Sequence, residues 1–61
     1  MNKELLKIAL THAEANRLHV KQVLKSLPQV GYHEDSVTYQ KINDIYTKAR
    51  RDVNDLKLFL K

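Results

Sequence analysis

Hydrophobic residues recur along most of this chain at intervals of three and four, the spacing of helices that bury one side. Steps of about 100° per residue gather them into one stripe in each half of the chain. The first stripe contains Leu5, Leu6, Ala9, Leu10, Ala13, Val20, Val23, Leu24 and Leu27. The second contains Ile42, Ile45, Tyr46, Ala49, Val53, Leu56, Phe59 and Leu60, with Tyr39 at its edge. No alternating strand pattern of comparable length competes, so the sequence predicts an all-α fold with Leu24, Ile45 and Leu56 central to their stripes.

The only proline and the only glycine both lie between the two stripes. Pro28 cannot continue a helix, and Gly31 can adopt the positive φ that a chain reversal needs. Asp35 and Ser36 are both good caps for the start of a second helix. The pattern predicts one domain with helix 1 over about 2–27, a loop over about 28–36 and helix 2 over about 37–60.

Two helices of matched length joined by a short loop pack most simply as an antiparallel hairpin. Each stripe spans roughly 140°, wider than the narrow seam of a two-stranded coiled coil, so one partner helix cannot cover both stripes. A chain of 61 residues without cysteine also has little core of its own, and association is a common remedy. We therefore expect two hairpins to pair into a homodimeric four-helix bundle, or one hairpin to dock on another protein. A marginally stable monomer with a frayed helix end is the alternative.

Asn16 and Arg17 interrupt the first stripe where apolar residues are expected. A buried Asn in a helical interface can fix register and oligomeric state. Alternatively, Arg17 extends its charged end to water while Asn16 lies at an unpacked edge. A third interpretation breaks helix 1 here and gives three helices, although no Gly or Pro marks such a break.

The sequence contains no constellation with catalytic chemistry. It has no cysteine, no glycine-rich phosphate loop, no His-Glu-x-x-His and no serine in a nucleophile-elbow setting. Asp44, Asp52 and Asp55 alternate with Lys48 and Arg51 at spacings of four, which predicts the ion pairs of a solvated helix face. The interpretation is that the protein is not an enzyme and needs no cofactor.

Metal and membrane binding are not expected either. His12 and His19 are about 10 Å apart along one helix, too far to share an ion, and His33 has no partner beyond Glu34. No apolar run approaches the roughly 18 residues of a membrane span, and the N-terminus lacks the apolar core of a signal peptide. The prediction is a cytoplasmic protein without a metal.

Charge is the feature that most suggests a ligand, because the net charge is +4 and the isoelectric point about 9.6. Two rows of cations follow the helix flanks: Lys3, Lys7, Lys21 and Lys25 on helix 1, and Arg50, Lys57 and Lys61 on helix 2. They make nucleic-acid binding the alternative function. Against sequence-specific recognition, lysine outnumbers arginine and no aromatic residue interleaves with the rows as a stacking platform.

The favoured function is that of a small non-catalytic interaction protein, an accessory or regulatory factor that acts by binding another protein. Leu18, Tyr32 and Leu58 lie outside the stripes, so they are the predicted contacts for that partner. Tyr32 in the loop is the best single candidate, and packing of its ring over the end of the bundle is the competing interpretation.

Overall fold

A computed structural model describes residues 3–61 as two long helices joined by a short connection. Helix α1 spans Lys3–Ser26, a 3-10 helix follows over Leu27–Val30, and helix α2 spans Val37–Phe59. Residues 3–61 contain no β-strand. The predicted helices are confirmed, although the predicted start of helix 1 at residue 2 lies outside the described residues. Helix 1 is continuous past Asn16, so the three-helix interpretation is wrong.

The connection ends one helix and starts the next with backbone and side-chain caps. Gly31 takes φ +99°, and its N–H donates to the Pro28 carbonyl at 3.3 Å. The Tyr32 N–H donates to the Leu27 carbonyl at 2.9 Å. At the start of α2, the Ser36 hydroxyl oxygen accepts a hydrogen bond from the Tyr39 N–H at 3.1 Å. These bonds satisfy backbone groups that helix ends leave unpaired.

The two helices pack side by side in opposite directions. The molecule measures 44 × 14 × 12 Å, while helices of 24 and 23 residues are each about 35 Å long. Both helices therefore run along the same long axis, and the short connection between them requires the antiparallel arrangement. The predicted hairpin is confirmed.

One narrow seam holds the helices together. With the exception of the cap Ser36, it contains every residue of 3–61 that is buried or half-buried. From α1 and the 3-10 helix these are Leu6, Leu10, Ala13, Arg17, Val20, Leu24 and Leu27. From α2 they are Tyr39, Ile42, Tyr46, Ala49, Val53, Leu56 and Leu60. Their spacing alternates strictly between three and four, the pattern of a coiled-coil seam.

The seam covers only part of each predicted stripe. Leu24 and Leu56 lie in the seam, whereas Ile45, which was also predicted to be central to its stripe, lies outside the seam and is 51% exposed in the single hairpin. Arg17 occupies a seam position and is half-buried, whereas Asn16 beside it is exposed. This supports the interpretation in which Arg17 extends its charged end to water. The interpretation in which Asn16 is buried does not hold within the single hairpin.

Candidate interaction surfaces

The seam divides the surface of the hairpin into two long edges. A residue about 60° to 100° to one side of the seam centre on α1 lies beside the residues displaced by the same angle on α2. Viewed along one common axis, residue angles increase clockwise on one antiparallel helix and counterclockwise on the other. Because the two helices face each other, equal displacements from the seam centre lie on the same side of the hairpin. Each edge therefore combines one flank of α1 with the matching flank of α2.

We call the first of these the apolar edge. Its apolar members are Leu5, Ala9 and Val23 of α1 with Ile45 and Phe59 of α2, all exposed. Asn16 and Asp52 lie halfway along the same edge, and they are exposed too. Lys41 lies at its loop end. The sequence predicted these apolar residues as parts of the stripes, but not that they lie together outside the seam.

The order of residues along the apolar edge is symmetric. On α1, Ala9, Asn16 and Val23 follow at intervals of seven, and on α2 Ile45, Asp52 and Phe59 do the same. Each flank thus presents an apolar, a polar and an apolar side chain. The strict three-and-four spacing of the seam is the signal in the sequence that would have separated this edge from the core.

We call the opposite side the basic edge. It brings together the two predicted rows of cations, Lys3, Lys7, Lys21 and Lys25 of α1 and Arg50, Lys57 and Lys61 of α2. Two carboxylates accompany these cations: Glu14 lies at the same angle, and a Glu4 carboxylate oxygen lies 3.8 Å from the Lys7 Nζ. Seven of the 11 lysines and arginines in the chain are therefore on one edge with two of the seven acidic residues. The sequence predicted each row, and the fold places both on the same side.

Few of these charges are paired with one another within residues 3–61. Among residues 3–61, the ion pair with a defined geometry joins the Lys7 Nζ to a Glu4 carboxylate oxygen at 3.8 Å. Within the same range, the predicted pairs of Lys48 and Arg51 with their neighbouring aspartates are not formed. Exposed pairs of this kind gain little in water, because the Coulomb attraction is screened and ordering two side chains costs entropy. The Arg50 guanidinium instead lies 5.8 Å from the centre of the Tyr46 ring.

The three predicted protein-binding residues do not form one surface. Leu18 lies on α1 beside the basic edge, seven residues before Lys25, whereas Leu58 lies on the outer side of α2 and Tyr32 in the connection. Leu58 is close to the open end of the hairpin, about 30 Å from the connection, given 1.5 Å per residue. All three are exposed, so each is available for a contact, but a single partner surface of ordinary size would not reach all of them at once.

No three His, Cys, Asp or Glu residues of the described range are placed to hold a metal ion. Two shallow depressions occur, one along α2 beside Asp44 and Arg51, the other in the connection beside His33. Both open broadly to solvent, and Asp52 of the apolar edge is one of the residues that line the first.

Within residues 3–61, neither helix combines the length and the apolar character needed to cross a membrane. The chain matches no protein-family model, no curated protein and no solved structure. The two edges are therefore the features of the molecule that bear on its function.

Proposed function

We propose that this protein is a non-catalytic interaction factor that works in the cytoplasm as a homodimeric four-helix bundle and regulates or assists another protein by binding it. The observation that carries the proposal is the symmetric apolar edge. A surface that contacts a copy of itself about a two-fold axis must be self-complementary. The apolar, polar, apolar order of both flanks meets that condition.

The amount of exposed surface supports the same proposal. A folded monomer of 7.1 kDa has about 4,100 Å² of accessible surface by the usual scaling with mass. This hairpin has 4937 Å², and its radius of gyration is 14.0 Å, against about 10.5 Å for an ordinary domain of this length. The excess of about 800 Å² equals the area that each partner buries in a standard interface.

Charge and side-chain size favour one orientation of the two copies. A two-fold axis parallel to the helices sets α1 of one copy against α2 of the other, with both connections at the same end. Asn16 then faces the partner's Asp52, so an amide N–H can donate to a carboxylate, and the small Ala9 faces the large ring of the partner's Phe59. An axis perpendicular to the helices would instead set Asp52 against its own copy, with like charges opposed.

Sedimentation equilibrium of two matched double variants tests the dimer. Ile45→Ser with Phe59→Ser changes residues of the apolar edge that are 51% and 60% exposed. Leu18→Ser with Leu58→Ser changes outer residues that are 51% and 61% exposed. We expect the parent and the outer variant to sediment at twice 7.1 kDa, and the edge variant to dissociate about a hundredfold more readily. A monomeric parent, or equal weakening by both variants, contradicts the proposal.

Cysteine cross-linking tests the orientation, because the chain has no cysteine of its own. Gln29→Cys places a thiol in the exposed 3-10 helix of the connection. Oxidation should join two such copies rapidly if the connections share one end. Preferential cross-linking of Gln29→Cys to Lys61→Cys in a mixture would show the opposite orientation.

In such a dimer the proposed contacts for a different protein stay exposed, because Leu18, Tyr32 and Leu58 all lie outside the apolar edge. Each would occur twice on the bundle, on surfaces that the second copy does not cover. We retain them as the proposed contacts for that protein.

A further inference from the structure

The basic edge is a separate surface from the proposed dimer interface, and we infer that it binds double-stranded nucleic acid through the phosphate backbone, without reading sequence. The inference does not depend on dimerisation, because a single hairpin carries the whole edge.

The cations of the basic edge are available to an external ligand. Of the seven, only Lys7 is within 4 Å of a carboxylate in the described chain, and both partners of that pair are exposed. Arg50 lies over the Tyr46 ring, a cation–π contact that holds the guanidinium near the edge without neutralising its charge. Glu4 and Glu14 each offset one charge. The edge therefore presents a net excess of about five positive charges on one side of a 7.1 kDa chain.

The shape of the edge selects an extended polyanion over a small anion. The cations form two rows along helices about 35 Å long, and packed helix axes are about 8–10 Å apart. Neither of the two depressions described above lies among them. A nucleic-acid duplex, by contrast, carries one negative charge per roughly 1.7 Å of its axis over any length. Many cations can then be engaged at once.

The composition of the edge distinguishes a duplex from two other polyanions. Single strands are held by exposed aromatic rings on which bases stack, and the aromatic residue beside this edge, Tyr46, is half-buried in the seam. Adsorption of a helix to an anionic membrane needs a continuous apolar face next to the cations, whereas here the apolar edge is on the opposite side and the single residue Leu18 borders the cations on α1. Lysine contacts phosphate as a point charge and gives no bidentate recognition of bases, so sequence should matter little.

Fluorescence anisotropy with a labelled duplex of about 20 base pairs, a length that spans the whole edge, tests the inference. The dissociation constant should rise steeply with NaCl between about 20 and 200 mM, because binding releases condensed counterions. With about five phosphates contacted, the slope of log K against log salt should be about −4 to −5. Two duplexes of unrelated sequence should bind within about threefold of each other.

Two triple variants with the same loss of charge locate the site. Lys21→Gln, Arg50→Gln and Lys57→Gln remove three cations from the basic edge. The control, Lys41→Gln, Lys48→Gln and Arg51→Gln, removes three cations from elsewhere on α2. We expect the first to weaken binding more than about tenfold at about 50 mM salt and to reduce the slope by nearly three, and the control to change affinity less than about threefold. Circular dichroism verifies that both remain helical.

Three results would overturn the inference. The first is no binding of the parent to the duplex at about 20 mM salt. The second is equal weakening by both triple variants, which would mean that net charge alone attracts the duplex. The third is tighter binding to a single strand of the same length, or to vesicles containing phosphatidylserine, than to the duplex. A parent that binds the duplex but sediments as a monomer would contradict the dimer and leave this inference standing.

Discussion

Val53 and Ala49 are the two buried residues of the described chain, with 1% and 3% of their surfaces exposed, and both are small. The reason lies in the width of the contact. Two helices meet along a line one side chain wide, so a large seam residue such as Leu24 or Leu56 is covered only in part by the partner helix. Only a short side chain near the centre is covered completely. Burial within a single hairpin therefore provides limited stabilisation.

Replacing Val53 with alanine should lower the free energy of unfolding by about 2 kcal/mol, from the loss of two buried methyl groups and the cavity they leave. Val37→Ala is a matched control, because Val37 lies in the same helix but is 66% exposed. That change should stay within about 0.5 kcal/mol. Urea unfolding followed by circular dichroism measures both. Equal effects of the two substitutions would show that the seam does not provide the core.

Arg17 is a residue whose burial could not be predicted from the sequence. Its position fits the stripe, but its charge argues against burial, and a sequence alone cannot tell whether its aliphatic stem lies along a neighbour. In the hairpin, counting outward from the connection sets Arg17 level with the small Ala49. The stem can lie across this gap while the guanidinium reaches solvent. Partial burial of an arginine thus depends on the size of a residue far away in the sequence.

At the scale of elements, Gly31 permits the reversal between α1 and α2 because its φ of +99° disfavours residues with a side chain. Gly31→Ala should cost about 1 kcal/mol of unfolding free energy. A methyl group at this position would meet no atom within 4 Å, so the cost would come from the backbone and not from a steric clash. Gly31→Asn should cost less, because Asn tolerates left-handed geometry better. Equal destabilisation by Ala and Asn in thermal melts would contradict this explanation.

The boundaries of the helices could largely be predicted from the sequence, but the face through which the helices contact each other could not. Pro28, Gly31 and Ser36 act through local backbone chemistry, which a sequence displays directly. The contact face depends instead on where the partner helix lies across a stripe about 140° wide. Ile45 and Tyr46 are neighbours in that stripe, yet the first faces solvent and the second lies in the seam. Similarly, each row of cations was visible in the sequence, while their union on one edge needed the antiparallel arrangement.

At the scale of the whole molecule, the apolar and basic edges are on opposite sides of the seam. If two hairpins join through their apolar edges, the basic edges face away from each other on the outside of the bundle. With helices about 10 Å in diameter, two layers separate these edges by about 20 Å. Each dimer would then present two equivalent sites for a duplex, with no competition between protein association and nucleic-acid binding.

Such a dimer should bridge two duplexes. We expect energy transfer between donor-labelled and acceptor-labelled duplexes to rise as protein is added and to fall in excess protein, when each duplex is covered by its own dimers. The variant Ile45→Ser with Phe59→Ser should still bind one duplex with a similar salt dependence, because its basic edge is intact, but should give no transfer. Leu18→Ser with Leu58→Ser is the control and should bridge as the parent does. Transfer that persists in a variant shown by sedimentation to be monomeric would mean that the duplexes are brought together by charge neutralisation and not by a two-sided bundle.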